Sequence, residues 1–422
     1  MHVYPAELAD VVAAQLAARR APPLGLDVLR ELLSASYQAS LLREEERPIT
    51  FRILVAEPSA LDPSDGPALG LHALRFETPR RFNEEELRRL APAAKMQRSL
   101  IGVRVVHGAL RIWGVVHTGP GWLRALQGGR MTDHAPPPGL VVTASAPGRL
   151  HVALGEETMG TVVSGRLVDQ QLDVFDSEWL PASFRDVRDE LDAFHVEAHE
   201  AAGGAWAPLS PDLPRMISQH FVRRIISTIR VARHGGMVLF VPDALAEGAA
   251  SDALRITFPF AAGESRRRFR TLILRAMSTL AASHAGSPLP VGWAEYSRSA
   301  DATVTAIDEA IFELSHMIAA LSDVDGATVL TRRFEVLGFG AEIGGSLPHV
   351  PNVMRALDLE GNNLVGEHAD GVGTRHRSAY RFCAAHPEAL AVVVSHDGDV
   401  RFVRMKDDTV TYWEQGALGS EA

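Results

Sequence analysis

One cysteine, Cys383, stands among 422 residues. That excludes an internal disulfide framework and any zinc cluster built on thiolates. No uncharged apolar run approaches the ~20 residues that a membrane-spanning helix needs. Basic residues are the minority, 42 against 52 acidic ones, for a net charge of −10. A general electrostatic grip on DNA, RNA or an anionic membrane is therefore not expected, and only a local basic pocket has room. The opening stretch MHVYPAELADVVAAQL carries acids inside its apolar periodicity and has no basic flank, so it does not read as a signal peptide. A soluble, cytoplasmic protein is the expectation. No repeat of useful length and no G-x-S-x-G nucleophile elbow occur.

What is present is ordinary globular composition, 46% hydrophobic and 22% charged. At ~150 residues per domain the length allows two or three domains. From Pro5 to Ala39 the apolar spacing is helical, broken at Pro22 and Pro23 into two helices. Alternating segments follow at 49–55, 99–106, 109–116, 139–145, 149–154 and 160–167. His107-Gly108 and Pro147-Gly148 are the turns expected between antiparallel strands, and Pro136–Pro138 marks a loop. Residues 1–165 thus read as one mixed domain, rich in antiparallel sheet and edged by helices. Residues 166–209 turn acidic and then small and polar, which reads as a helix followed by a linker.

A second domain, 210–415, opens with an amphipathic helix around Arg215–Arg233 and the apolar strand 236–242. Helices expected near 266–282, 304–321 and 378–385 then alternate with strands at 254–260, 326–331, 334–343, 389–395 and 399–405. The predicted fold class is α/β (α+β), with a mixed central sheet flanked by helices in this domain.

Three stretches of that domain carry chemistry. In the first, Gly371 and Gly373 free the backbone, Thr374 suits a helix N-cap, and a helix follows. Such a terminus aims free N–H groups and the positive end of the helix dipole at whatever precedes it. Arg375, His376 and Arg377 add cations there, where cations are otherwise unfavourable, which suggests a bound polyphosphate; a solvated basic turn is the plainer reading. In the second, Asp325-Gly326-Ala327 sits before a strand. A carboxylate followed by a residue with no side chain reaches a ligand lying against the backbone, although Asp-Gly is also a common turn. In the third, Ser395-His396-Asp397 follows the apolar strand ALAVVV. Asp397 offers a hard oxygen ligand to Mg²⁺ or Mn²⁺, and HDGD equally suits a hairpin turn; both readings hold together.

These elements, in this order, resemble the diadenylate cyclase family, which is marked by a DGA motif and a later GTRHR motif. They stand here as Asp325-Gly326-Ala327 and Gly373-Thr374-Arg375-His376-Arg377. The resemblance covers roughly 210–413, about half the chain, with Arg223–Pro242 resembling the family's opening helix and strand. It implies condensation of two ATP molecules into cyclic di-AMP with release of two pyrophosphates, in homo-oligomers whose active sites face each other. By the same resemblance Asp325 polarises the attacking ribose hydroxyl, and Asp397, with Asp325, holds Mg²⁺ or Mn²⁺. Arg375, His376 and Arg377, with Thr374 and Ser395, hold the triphosphate, while Gly326, Ala327 and Gly373 line the nucleotide. A module that binds ATP or cyclic di-AMP without turnover is the alternative. No nucleic acid and no membrane enter as partners.

Departures from the family are visible. Asp325 and Arg375 lie 50 positions apart, more than the family spacing. The extra residues, 344–370, form a polar stretch with a short helical segment, either a lid or a surface insertion. His396-Asp397 replaces the usual acidic pair, and no membrane anchor precedes the domain. In the first half, SASYQASLLREEERPITFRILV resembles a sensor domain found ahead of some bacterial diadenylate cyclases. That resemblance implies regulation by an unknown ligand or partner; a domain that only fixes the oligomer is the other reading.

Remaining features read as structural. His195 and His199 have zinc-ligand spacing on an acidic helix face but lack the H-E-x-x-H order. Arg266, Arg267, Arg268 and Arg270 read as an exposed helix face. Gly338 and Gly340 lack the third glycine of a dinucleotide fingerprint. Cys383 reads as a buried, inert thiol.

Overall fold

The computed structural model describes residues 4–19, 21, 24–61, 72–95, 98–118, 139–155, 157–163, 165–168, 172–232, 234–247 and 253–416. The Pro136–Pro138 loop lies outside them. Two compact units divide the chain, the first running through Val168 and the second starting at Leu172.

In the first unit the helical periodicity produces α1 (Pro5–Ala18) and α2 (Leu26–Ser40). Leu8, Val12 and Leu16 recur every fourth residue, as do Leu29 and Leu33, and all are buried in one core. The strands are β1 (Arg43–Glu44), β2 (Arg47–Pro48), β3 (Phe51–Val55), β4 (His72–Arg81), β5 (Ser99–Val106) and β6 (Ala109–His117). Four more follow: β7 (Leu140–Ala146), β8 (Arg149–Leu154), β9 (Glu157–Val163) and β10 (Arg166–Val168). Among the described residues β1 and β2 form a small ribbon, and the rest form one sheet in the order β10-β9-β8-β7-β3-β5-β6-β4. Every pairing in it is antiparallel except β3 with β5. The turn at His107-Gly108 has both residues at positive φ, 49° and 79°, the conformation a two-residue hairpin demands. β4 and the helix α3 (Glu84–Leu90), capped by the Asn83 side chain on the Glu86 N–H, carry no clear sequence alternation and were not expected.

The second unit begins earlier than a linker reading allows. Val174, Phe175, Leu180, Leu191 and Ala207 are all buried in its core, so residues 172–209 pack as part of this unit. Their apolar side chains are too widely spaced to announce a face, yet each fills a place among larger neighbours. The helix α4 (Arg185–Ala202) is followed by α5 (Leu213–Ala232), α6 (Arg268–Ser283) and α7 (Ala302–Leu321).

The sheet holds β11 (Gly236–Val241), β12 (Leu254–Pro259), β13 (Ala327–Thr331), β14 (Val336–Ile343), β15 (Asn352–Ala356) and β16 (Leu364–His368). β17 (Leu390–Val394), β18 (Val400–Lys406) and β19 (Thr409–Gln415) complete it. Their order among the described residues is β12-β14-β13-β11-β17-β18-β19-β15-β16, a mixed sheet with β11–β13 and β15–β19 parallel.

Alternation along the central strands feeds two cores. Val238, Phe240, Val392 and Phe402 join α4 to α7 on one face; Met237, Leu239, Val393 and Val403 meet the helix α8 (Thr374–Ala385) on the other. The mixed α+β class expected from sequence is what the chain adopts. Within 344–370, the short helical segment is instead the hairpin β15–β16: Val353 and Ala356 are buried, and pairing with β19 overrides the helix-favouring Met and Arg. Among the described residues no helix is long and apolar enough to cross a membrane.

Candidate functional site

Topology brings the three chemistry-bearing stretches together at one end of the second sheet. Asp325 and Gly326 precede β13, Gly373 to His376 open α8, and Ser395 to Asp397 follow β17. They line one cavity of about 770 Å³. Small-molecule sites span ~300–1,000 Å³, so a nucleotide is of the right scale. Two expected members lie elsewhere. Ala327 is buried in the core at the start of β13, and Arg377, further round α8, is exposed without lining the cavity. A separate hollow beside Phe175, Leu180 and Phe184 holds only about 50 Å³ and is almost wholly apolar, which suits none of this chemistry.

Gly326 adopts φ 112°, and a Cβ there would meet backbone atoms of Gly340 and Ala341 at 2.6 and 2.8 Å. Only glycine fits, and it leaves Asp325 standing fully exposed at the cavity edge. The helix entry differs by one residue from expectation. Gly373 is the N-cap and Thr374 the first helical residue, because Gly373 keeps extended backbone and its carbonyl already accepts the Arg377 N–H at 3.2 Å. Among the described residues no side chain caps this end, so the first-turn N–H groups lack an intrahelical acceptor, and Gly373 to His376, which carry them, line the cavity.

Arg375 ties two of the stretches together. Its Nη2 lies 3.6 Å from Asp325 Oδ1, and its Nη1 donates to the His234 carbonyl at 3.0 Å. His376 is not the cation expected beside it. Burial, and then the positive charges of Arg401 and Arg375 against the opposing pull of Asp399, hold its imidazole down to about 4. At neutral pH it is neutral.

The wall cation that the GTRHR reading missed is Arg401, on β18. Its Nη1 donates to the Tyr380 hydroxyl at 3.0 Å. Only its place beside β17, which no local pattern announces, puts it in the cavity.

The acidic turn serves the hairpin reading directly. Ser395 Oγ accepts the Asp399 N–H at 3.0 Å, and the Ser395 carbonyl accepts the Gly398 N–H at 3.0 Å. Asp397 remains almost fully exposed on the cavity, 3.8 Å from His396 Nδ1. Among the described residues no group of three acids, histidines or cysteines converges as a metal cage.

The features read as structural are accounted for by contacts. His195 and His199 both pack their rings against Trp206, at 5.2 and 5.0 Å. Arg266 lies 3.5 Å from Glu335, Arg268 3.0 Å from Glu264, and Arg270 3.5 Å from Glu190. Burial pushes the Cys383 thiol up to about 12, far from a reactive thiolate.

Residues 19–117 match the family model described as the probable sensor domain DACNV. No curated protein and no solved structure matches the chain.

Proposed function

We propose that the protein is a diadenylate cyclase, condensing two ATP into cyclic di-AMP and two pyrophosphates, with the first unit as its sensor. One observation carries the reading: residues of the DGA, GTRHR and Ser-His-Asp stretches, far apart in sequence and without Ala327 and Arg377, share one cavity in which Arg375 meets Asp325. The sensor-family match over 19–117 supports it from the other half, since the sequence there resembles sensor domains found ahead of such cyclases.

Phosphoryl transfer asks for in-line placement and neutralised charge more than for covalent help. Here the α8 N-terminus, Arg375 and Arg401 would receive the triphosphate, and neutral His376 would hydrogen-bond to it. Asp325, with its carboxylate exposed at the cavity edge beside Arg375, would accept from the 3′-hydroxyl that attacks the α-phosphate of a second ATP. Asp325 and Asp397 offer hard carboxylate oxygens, and Glu342 and Asp399 line the same cavity, although among the described residues no three such groups converge; exposed carboxylates of this kind fit a hard divalent ion sharing phosphate oxygens and water. Bound there, Mg²⁺ or Mn²⁺ would neutralise phosphate charge. One such cavity takes one ATP, so the reaction calls for two copies with facing sites.

The test is incubation of the full chain with ATP and Mg²⁺ or Mn²⁺, followed by chromatography. Cyclic di-AMP should form, its specific rate should fall on dilution of the protein, and Asp325→Asn should lower it more than about 100-fold. ATP bound without product in the wild type would instead make the chain a nucleotide-binding module.

A further inference from the structure

We propose that Arg401 is a phosphate-binding residue of this site, and that the β15–β16 hairpin sets its position and charge through Glu414. The inference rests on the nucleotide reading above and names a contact and a control that the motifs do not contain.

Arg401 is held from several sides. Its guanidinium lies 4.3 Å from the centroid of the Tyr412 ring, donates to Tyr380, and lies 3.3 Å from Glu414 Oε1. Glu414 stands directly opposite Arg401 in the β18–β19 register. With 17% of its side chain exposed, Arg401 presents a preorganised fork rather than a mobile tail. Its Nε is buried with no partner among the described residues, as is Nε2 of His376 on the same wall. Two buried polar nitrogens on cavity-lining residues, one a guanidinium donor and the other a donor or acceptor by tautomer, thus stand unpaired where such groups are costly to leave unmade. Because His376 is uncharged at neutral pH, Arg401 and Arg375 are the cations among the cavity's lining residues.

The hairpin governs how much of that charge reaches the cavity. Glu414 Oε2 is taken at 2.8 Å by Arg355 of β15, so one carboxylate is shared between two guanidinium groups. Glu367 of β16 lies 3.9 Å from Arg355 and accepts the Tyr412 hydroxyl at 2.6 Å. Removing Arg355 would leave Glu414 to neutralise Arg401 alone. The stretch 344–370, lengthened relative to the resembled family, therefore acts as a support and charge balance for the site rather than as a lid over it. Arg401 touches the substrate in this account, and Arg355 is a positioning residue.

The experiment measures ATP and adenosine affinity by titration calorimetry on the full chain, beside cyclic di-AMP turnover. Arg401→Gln keeps a donor for Tyr380 and loses the charge; it should weaken ATP about tenfold or more and leave adenosine within about twofold. Arg401→Lys should recover part of the ATP affinity, and it keeps the test decisive if the Gln variant folds poorly. Arg355→Met should weaken ATP about threefold with adenosine unmoved, and Arg355→Lys should restore it. Equal losses for ATP and adenosine, or unchanged ATP affinity in Arg401→Gln, would overturn the phosphate role. Unchanged ATP affinity in Arg355→Met would overturn the hairpin's control. Wild-type chain that neither binds nor cyclises ATP sinks the nucleotide reading itself, a result distinct from both.

Discussion

In the first unit, Arg52, Thr143, His151 and Thr161 stand side by side across β3, β7, β8 and β9, each at most 7% exposed. In the second, Asp325 and Asp397 carry almost fully exposed carboxylates on a cavity wall. The two sets are equally polar and do opposite work. Groups buried in a sheet must be satisfied by their neighbours, as His151 Nδ1 and Thr161 Oγ1 are at 2.8 Å, and in being satisfied they fix strand register. Groups left in water keep their hydration until a ligand replaces it, so they add little to stability and are available for chemistry. Polarity alone does not mark a site; polarity facing an open volume does.

That contrast can be broken from either side. The largest effect belongs to the cavity. On the proposed reading Arg375→Ala should cut cyclic di-AMP formation by about 10²–10³-fold, while losing the weak pair with Asp325 and the bond to the His234 carbonyl leaves Tm within about 4 °C of wild type. A melting temperature that falls with activity would show Arg375 to be structural. In the first unit, Thr161→Val removes the hydroxyl beside His151 and should cost about 1–3 kcal/mol in chemical denaturation. ATP affinity should stay unchanged, and a shift in it would erase the division of labour.

A third test is a pH slope. His376 has its folded value lowered to about 4 from the ordinary 6.5, chiefly by burial. Between those two values the unfolded chain binds the proton more readily, so acidification from pH 6.5 towards 4 destabilises the fold. Thermal melting across that window should flatten in His376→Gln.

Local signals were legible where geometry leaves few choices. His107-Gly108 needed positive φ at both residues and formed the hairpin; Asp325-Gly326 needed a glycine against backbone and held one. The DGA, GTRHR and acidic-turn stretches were each visible, and so was most of the central sheet. What sequence hid was decided by partners distant in the chain. NVMRA pairs as β15 because β19 and β16 flank it, although Met, Arg and Ala favour helix. β19 itself, TVTYWEQ, was absent from the expected strands although Val410 and Tyr412 alternate inward. Arg401 sits in an ordinary strand pattern and becomes a wall residue only through its neighbours. His376 reads as a cation until its burial and the nearby charge of Arg401 are known.

The clasp between Arg375 and Asp325 has a consequence for entry to the cavity. A guanidinium 3.6 Å from a fully solvated carboxylate forms only a weak latch, screened by water on the carboxylate side. On the proposed reading an arriving phosphate would have only this weak pairing to displace at Nη2, while Nη1 stays anchored on the His234 carbonyl, and in drawing Nη2 away it would unmask the carboxylate. Such a latch holds two opposite charges side by side and, on the proposed reading, would open to the triphosphate itself.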